Sequence, residues 1–209
     1  MSDEILIPIF PLDLIVLPGE PVPLHIFEPR YKQLLADCAP IQGSKQYRPF
    51  GIVYSQKSKL NEIGCTVVVD EILHKYPQGE LDIMSFGSKR FRLLESHRDK
   101  VYLTGLIEWI EDQAEPLDTQ QRQRVLQLYE QFLTLVDVED HTIDRKKEKL
   151  SFEIAYRIHP EKPYKLKLLQ SLSESERLQI LQNYLEESIP QIEQAKEFKR
   201  VVRSNGYFA

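Results

Sequence analysis

Apolar positions along this chain change their spacing once, near residue 115. Before that point they fall in short runs of aliphatic, β-branched and aromatic residues, broken by turn signals. Ile5-Leu6-Ile7 and Ile9-Phe10 come first, with Pro8 and Pro11 restricting this segment to edge-like pairing. Pro18-Gly19 predicts a turn between a strand over Ile15-Val16-Leu17 and another over Val22 to Phe27. Phe50 to Tyr54 and Thr66 to Leu73 read as two further strands, the second rich in β-branched residues. Pro77-Gln78-Gly79 turns the chain into Leu81 to Phe86, and Gly87-Ser88 predicts a tight turn into Phe91 to Leu94. Val101 to Trp109 completes the set. One helix is predicted here, over Pro29 to Cys38, with Pro29 suited to a first-turn position.

Beyond residue 115 the period becomes helical. Val125, Leu128, Tyr129, Phe132 and Val136 recur at steps of three and four, and Leu150, Ile154 and Ile158 repeat the pattern from Asp144 onward. His159-Pro160 should stop that helix, because the residue before a proline avoids the α region. Pro163 can open a short helix carrying Leu166 and Leu169. Ser173 with Glu176 forms a capping box ahead of the stripe Leu178, Leu181, Leu185 and Ile189. Pro190 is expected to kink or break this last helix.

Punctuation follows the same division. Seven of the eight glycines lie at or before Gly105, and eight of the thirteen prolines at or before Pro49. The polar stretch from Glu111 to Pro116 fits a junction. Strands this short leave no room for crossover helices, so a small twisted barrel is expected rather than a wound parallel sheet. The fold class is therefore α+β: a β-barrel over 1–115 followed by a helical bundle over 116–209.

Composition narrows the function. With 209 residues, 42% hydrophobic and 28% charged, the chain is an ordinary folded globular protein. Its net charge is −5, and the part through Glu115 holds 12 Lys and Arg against 17 Asp and Glu. That sign argues against nucleic acid as a partner, since such binding rests on neutralising phosphates. Cys38 and Cys65 form no CxxC pair, so they read as buried free thiols rather than zinc ligands. Met1-Ser2-Asp3-Glu4 has no basic region of the secretory kind, and no apolar run approaches a membrane span, so a cytoplasmic protein without membrane contact is expected.

Candidate chemistry is sparse. No Walker loop, GxGxxG, GxSxG or HExxH motif occurs. His25, His74, His97, His141 and His159 are scattered, and Ser88-Lys89 has a sufficient structural reason at a turn. The richest cluster is Leu24-His25-Ile26-Phe27-Glu28-Pro29-Arg30-Tyr31. His25 and Glu28 could form an acid–base pair. The structural alternative has Glu28 accepting from first-turn amides or pairing with Arg30, with Phe27 and Tyr31 packed under the sheet. No catalytic, cofactor-binding or metal-binding residue is assigned, and the chain is expected not to be an enzyme.

An ordered set of segments resembles one known family. Phe10-Pro11-Leu12, Val16-Leu17-Pro18-Gly19 and Pro23 through Tyr31 are similar to its opening signature. Phe50 to Val53, Ile63-Gly64-Cys65-Thr66 with Glu71-Ile72, Gly79 with Leu81-Asp82-Ile83, Gly87 to Leu93 and Tyr102 to Ile107 follow in order. The family is the N-terminal, substrate-binding domain of Lon-type proteases. The resemblance implies a PUA-like barrel followed by a helical bundle, and recognition of polypeptide substrates or of a protein partner such as a protease. The ATPase and Ser-Lys protease domains of Lon are not among these residues. On this footing Phe27, Tyr31, Tyr76 and Phe86 are candidates to line a polypeptide-binding surface, in a stand-alone recognition or adaptor protein. An RNA-binding PUA-like protein, or a small-molecule enzyme built around His25, Glu28 or His74, are the alternatives.

Overall fold

The computed structural model describes residues 4–40, 44, 46–57, 59–116, 118–138 and 142–205, with side chains through residue 201. His141, the extreme N-terminus and Gly206 lie outside the described residues. The elements are β1 (Ile5–Leu12), β2 (Pro21–Ile26), α1 (Pro29–Asp37), β3 (Phe50–Gln56), β4 (Lys59–Lys75), β5 (Leu81–His97), β6 (Leu103–Trp109), α2 (Thr119–Leu135), α3 (Leu150–Ile158), α4 (Lys162–Gln170) and α5 (Glu174–Asn205). The α+β class expected from the pattern is the observed one. The chain divides into two compact units, one of residues 1–112 with 161–172, the other of residues 113–160 with 173–209. The segment 161–172, grouped by its helical period with the second half, thus belongs with the sheet.

In the first unit six strands form one sheet in the order β2-β5-β4-β3-β1-β6, and β5 also pairs with β6. The length of β5 makes this closure work. One side of it follows β4; the other side meets β2 through Leu81–Phe86 and then β6 through Phe91–His97. Irregularities between Cys65 and Val67, Val69 and Glu71, and Ile72 and His74 bend the β4–β5 ribbon as closure requires. The only parallel pairing among the described strands is β1 with β3.

Two of the predicted turns and strands differ from what forms. Gly87-Ser88 is not a turn: β5 runs through it without a break. Gly87 is there because the 13–20 segment crosses close by, and an added Cβ would land on the Leu17 carbonyl oxygen. Ile15-Val16-Leu17 is buried but joins no ladder. Instead Gly19 N–H donates to Gly87 O at 2.8 Å, and Gly87 N–H to Glu20 O at 2.9 Å. The apolar run was packing, not pairing, and a run of three cannot distinguish them.

Phe91 fills the barrel with Ile7, Ile9, Val53 and Ile107 around it. Its ring occupies the space two small residues leave: a Cβ on Gly64 or Gly51 would lie 2.5 or 2.7 Å from Phe91 Cζ. Next to it in sequence, Arg90 is buried and donates to Leu169 O at 2.9 Å, and also bonds Ser171 O and Asp112. The stretch from Gly87 to Phe91 is therefore scaffolding. The aromatic ring fills the core, and the guanidinium satisfies carbonyls at the end of α4.

In α1, Glu28 occupies the N-cap without accepting from first-turn amides; its carboxylate meets Arg30 at 2.7 Å. Tyr31 is buried and stacks on Phe10 at 3.8 Å between centroids, whereas Phe27 is exposed rather than packed under the sheet.

The second unit is helical. Asp118 caps α2 by accepting from Gln120 N and Gln121 N. Val125, Leu128, Tyr129 and Phe132 are buried, as are Leu150, Ile154, Leu178, Leu181 and Leu185. α3 begins at Leu150, later than its pattern suggested, and ends at His159 in the left-handed region. Ser173 Oγ accepts from Glu176 N at 3.2 Å, the first half of the capping box. Arg177, fully buried, lies 4.4 Å over the Phe152 ring and donates to Ser151 Oγ at 2.9 Å and Glu174 Oε2 at 3.0 Å. Pro190 neither breaks nor ends α5, which runs on to Asn205. Glu186, whose carbonyl loses its donor at Pro190, is exposed, so water can take that place.

Candidate functional site

Side chains alternate across a strand, so β2, β4 and β5 present one face to the core and one outward. Val22, Ile26, Ile83 and Ser85 point inward and are buried. The outward row consists of Pro21, Pro23 and His25 on β2, paired with Phe86, Met84 and Asp82 on β5. Asp82 is also opposite His74 on β4.

At one end of this face the side chains converge. The His25 ring stacks on Phe27 at 5.6 Å and meets Tyr76 edge-on at 5.8 Å. His74 also meets Tyr76 edge-on, at 4.4 Å between centroids. Asp82 ties the group together: His25 Nδ1 lies 2.6 Å from Oδ1, and the Tyr76 hydroxyl donates to Oδ2 at 2.8 Å. An ionised carboxylate only accepts, so Nδ1 is the protonated ring nitrogen in this pair. Glu80 Oε2 stands 3.7 Å from Nε2 of the same ring. The bonds from His25 and Tyr76 hold the Asp82 carboxyl below its usual value, and the same Asp82 bond raises the Tyr76 phenol. These contacts fix two aromatic rings on an open surface.

Phe27 is 55% exposed and Phe86 40%, and Leu73, where β4 bulges, is also exposed. Phe86 stands at the far end of the row: it is five residues along β5 from Leu81, the partner of Ile26, which at about 3.4 Å per residue is roughly 17 Å. The structure thus groups Phe27 with Tyr76, sets Phe86 at the opposite end of the same face, and buries Tyr31 in the core with 6% exposure. His25 and His74 both meet Tyr76, while Glu28 is engaged by Arg30 and joins neither. Asp82 was missed in the sequence. Its strand alternation with Leu81 and Ile83 shows that it faces outward, but only the β2–β5 register sets it beside His25.

Cys38 and Cys65 are free and buried, and burial pushes their thiols up to about 11 and about 12. Among the described residues no group of three or more His, Cys, Asp and Glu could hold a metal ion. No described helix is long and apolar enough to cross a membrane.

β2 is an edge strand and carries two prolines at alternate positions. Its six pairings with β5 are regular, so Val22, Leu24 and Ile26 supply the donors and the prolines face the open side. That edge cannot template an added strand through those positions.

Comparison with known proteins agrees with the geometry. The family described as the ATP-dependent protease La (LON) substrate-binding domain matches residues 6–187. Among solved structures, a Lon N-terminal domain protein from Xanthomonas campestris superposes with a TM-score of 0.63 at 25% identity, covering 85% of this chain and 96% of that one. The N-terminal domain of the Mycobacterium avium complex Lon protease gives 0.61 at 17% identity, covering 87% and 98%. On the strength of the family match across residues 6–187, this chain belongs to the Lon substrate-binding domain family.

Proposed function

We propose that the protein is a non-catalytic recognition module, and that the outward face of β2, β5 and β4 binds extended polypeptide. The observation that carries this reading is the exposed aromatic row: Phe27 anchored on His25 beside Tyr76 at one end, Phe86 at the other, and Met84 between. Exposed aromatic anchors held rigid by neighbours lose little entropy on binding, and they dominate the energetics of many interfaces. A span of roughly 17 Å accommodates about five residues of extended chain. Specificity would come largely from side-chain contacts, because Pro21 and Pro23 remove two of the three open-edge donors of β2. Membership in a substrate-binding family makes unfolded or partly folded protein the natural partner, in an adaptor or substrate-recognition role within the cytoplasm.

The test is fluorescence anisotropy with a labelled, intrinsically unfolded polypeptide such as β-casein. Binding should weaken at least ten-fold in Phe27→Ser/Phe86→Ser with the fold unchanged by circular dichroism. Unaltered binding in that double variant would remove this face from the proposal. Absence of binding in the native chain would remove the function.

A further inference from the structure

The 500 Å3 pocket on the barrel unit lies where α1 begins and where the loop between β5 and β6 passes the β3–β4 hairpin. Its charged lining is entirely basic: Arg30, Arg98 and Lys100. The lining is mainly polar, with Tyr31, Leu60 and Val101 supplying a smaller apolar part, and its volume falls within the range of small-molecule sites.

The three cations differ in their partners. Arg30 lies over the Tyr31 ring at 4.5 Å and is paired with Glu28 at 2.7 Å. Lys100 donates to Asp37 and to the Tyr102 hydroxyl, both at 2.9 Å. Arg98 makes no hydrogen bond or ion pair among the described residues. Glu28 and Asp37 do not line the pocket, yet each offsets one lining cation. One uncompensated guanidinium remains, beside the smaller apolar part of the lining. A single surplus positive charge matches a monoanion better than a dianionic phosphate. A planar guanidinium fork matches a carboxylate in geometry as well as charge.

We propose that this pocket binds a monocarboxylate, with the acid group on Arg98 and the hydrocarbon portion against Tyr31, Leu60 and Val101. Two sources supply that chemistry: the C-terminal end of a polypeptide, and a free small organic acid. The inference does not depend on the aromatic face, and Phe27→Ser/Phe86→Ser should leave it untouched.

The experiment uses the full chain at low salt. The probes are an N-terminally fluorescein-labelled Gly-Ala-Ala-Leu peptide with a free carboxylate, the same peptide as its C-terminal amide, and hexanoate followed by calorimetry. At least one free acid should bind. Arg98→Gln should weaken it at least ten-fold, and because Arg98 has no described partner its loss should leave the fold intact. Binding of the acid peptide at least ten-fold above its amide assigns the site to chain ends. Binding of hexanoate with no binding of the peptide assigns it to small acids. The proposal is overturned if neither acid binds, if acid and amide peptides bind equally and hexanoate does not bind, or if Arg98→Gln binds as tightly as the native chain.

Discussion

Replacing Lys165 by methionine should destabilise the barrel unit by about 3–5 kcal/mol, the usual cost of leaving one member of a buried ion pair unpartnered. Lys165 and Glu20 are both buried and bonded to each other, and Lys165 Nζ also reaches Ile15 O at 3.3 Å. Glu20 accepts in addition from Leu17 N at 2.9 Å. Methionine fills the space of the lysine stem but removes the charge, so Glu20 would be left buried without its partner. The loss is a large part of a typical total stability of about 5–15 kcal/mol. Urea unfolding followed by the fluorescence of Trp109, the single tryptophan, reads this unit directly. With a slope of about 2 kcal/mol/M, the midpoint should fall by roughly 1.5–2.5 M. The double variant Lys165→Met/Glu20→Gln keeps an acceptor for Leu17 N–H and removes the stranded charge, so it should regain about 2 kcal/mol or more. A single-variant loss under about 1 kcal/mol, or a double variant no more stable than the single, would refute the reasoning.

Other outcomes follow from the same contacts. Gly87→Ala should lower the thermal midpoint sharply, with a cost of about 3 kcal/mol or more, since the new Cβ meets the Leu17 carbonyl and backbone has to move; a melt within a degree or two of the native chain would contradict this. Tyr31→Ala should cost about 3–5 kcal/mol through lost packing on Phe10, whereas Phe27→Ser should stay within about 0.5 kcal/mol, a contrast that chemical denaturation measures. At pH 8, roughly one part in a thousand or less of Cys38 and Cys65 is thiolate and both are buried, so a thiol reagent should label neither until denaturant is added and then label two. Hydrogen bonds from Tyr102, Lys100 and Gln33 hold the Asp37 carboxyl below its ordinary 3.8. A depressed folded value stabilises above the unfolded value and is lost as pH falls through the folded one. The native chain's advantage over Asp37→Asn should therefore be full near pH 7 and shrink below about pH 4, as acid titration of the two would show.

The aromatic row is legible in sequence only in part. Phe27 and Tyr31 stand four residues apart in one motif, and nothing local says that one is exposed and the other is core. Phe10 decides it: the ring of Tyr31 stacks on Phe10 in the core, whereas Phe27 stacks on His25, itself exposed. Tyr76 and His74 lie some fifty residues from His25, and only the β2–β5–β4 register brings them to Asp82. Pairing register is a nonlocal property, and a slip of one residue would have sent His74 to the opposite face.

The sequence by itself determined the class of the fold and the family. Short β-branched runs between glycines and prolines, then apolar residues at helical spacing, leave few alternatives, because each pattern suits only one backbone geometry. It also determined one end each of three helices, through Pro29, Ser173 and the His159-Pro160 pair. Only the tertiary structure decided that Gly87 lies within a strand, that 161–172 belongs with the barrel, and that α5 continues past Pro190. Each of those outcomes is set by a distant partner or by solvent: the Leu17 carbonyl, the buried Glu20 and Arg90, and the water available to an exposed helix face. Local pattern reports what a segment prefers. Burial and pairing with remote segments decide which preference is realised, because they outweigh a turn or breaker signal worth only a few kcal/mol.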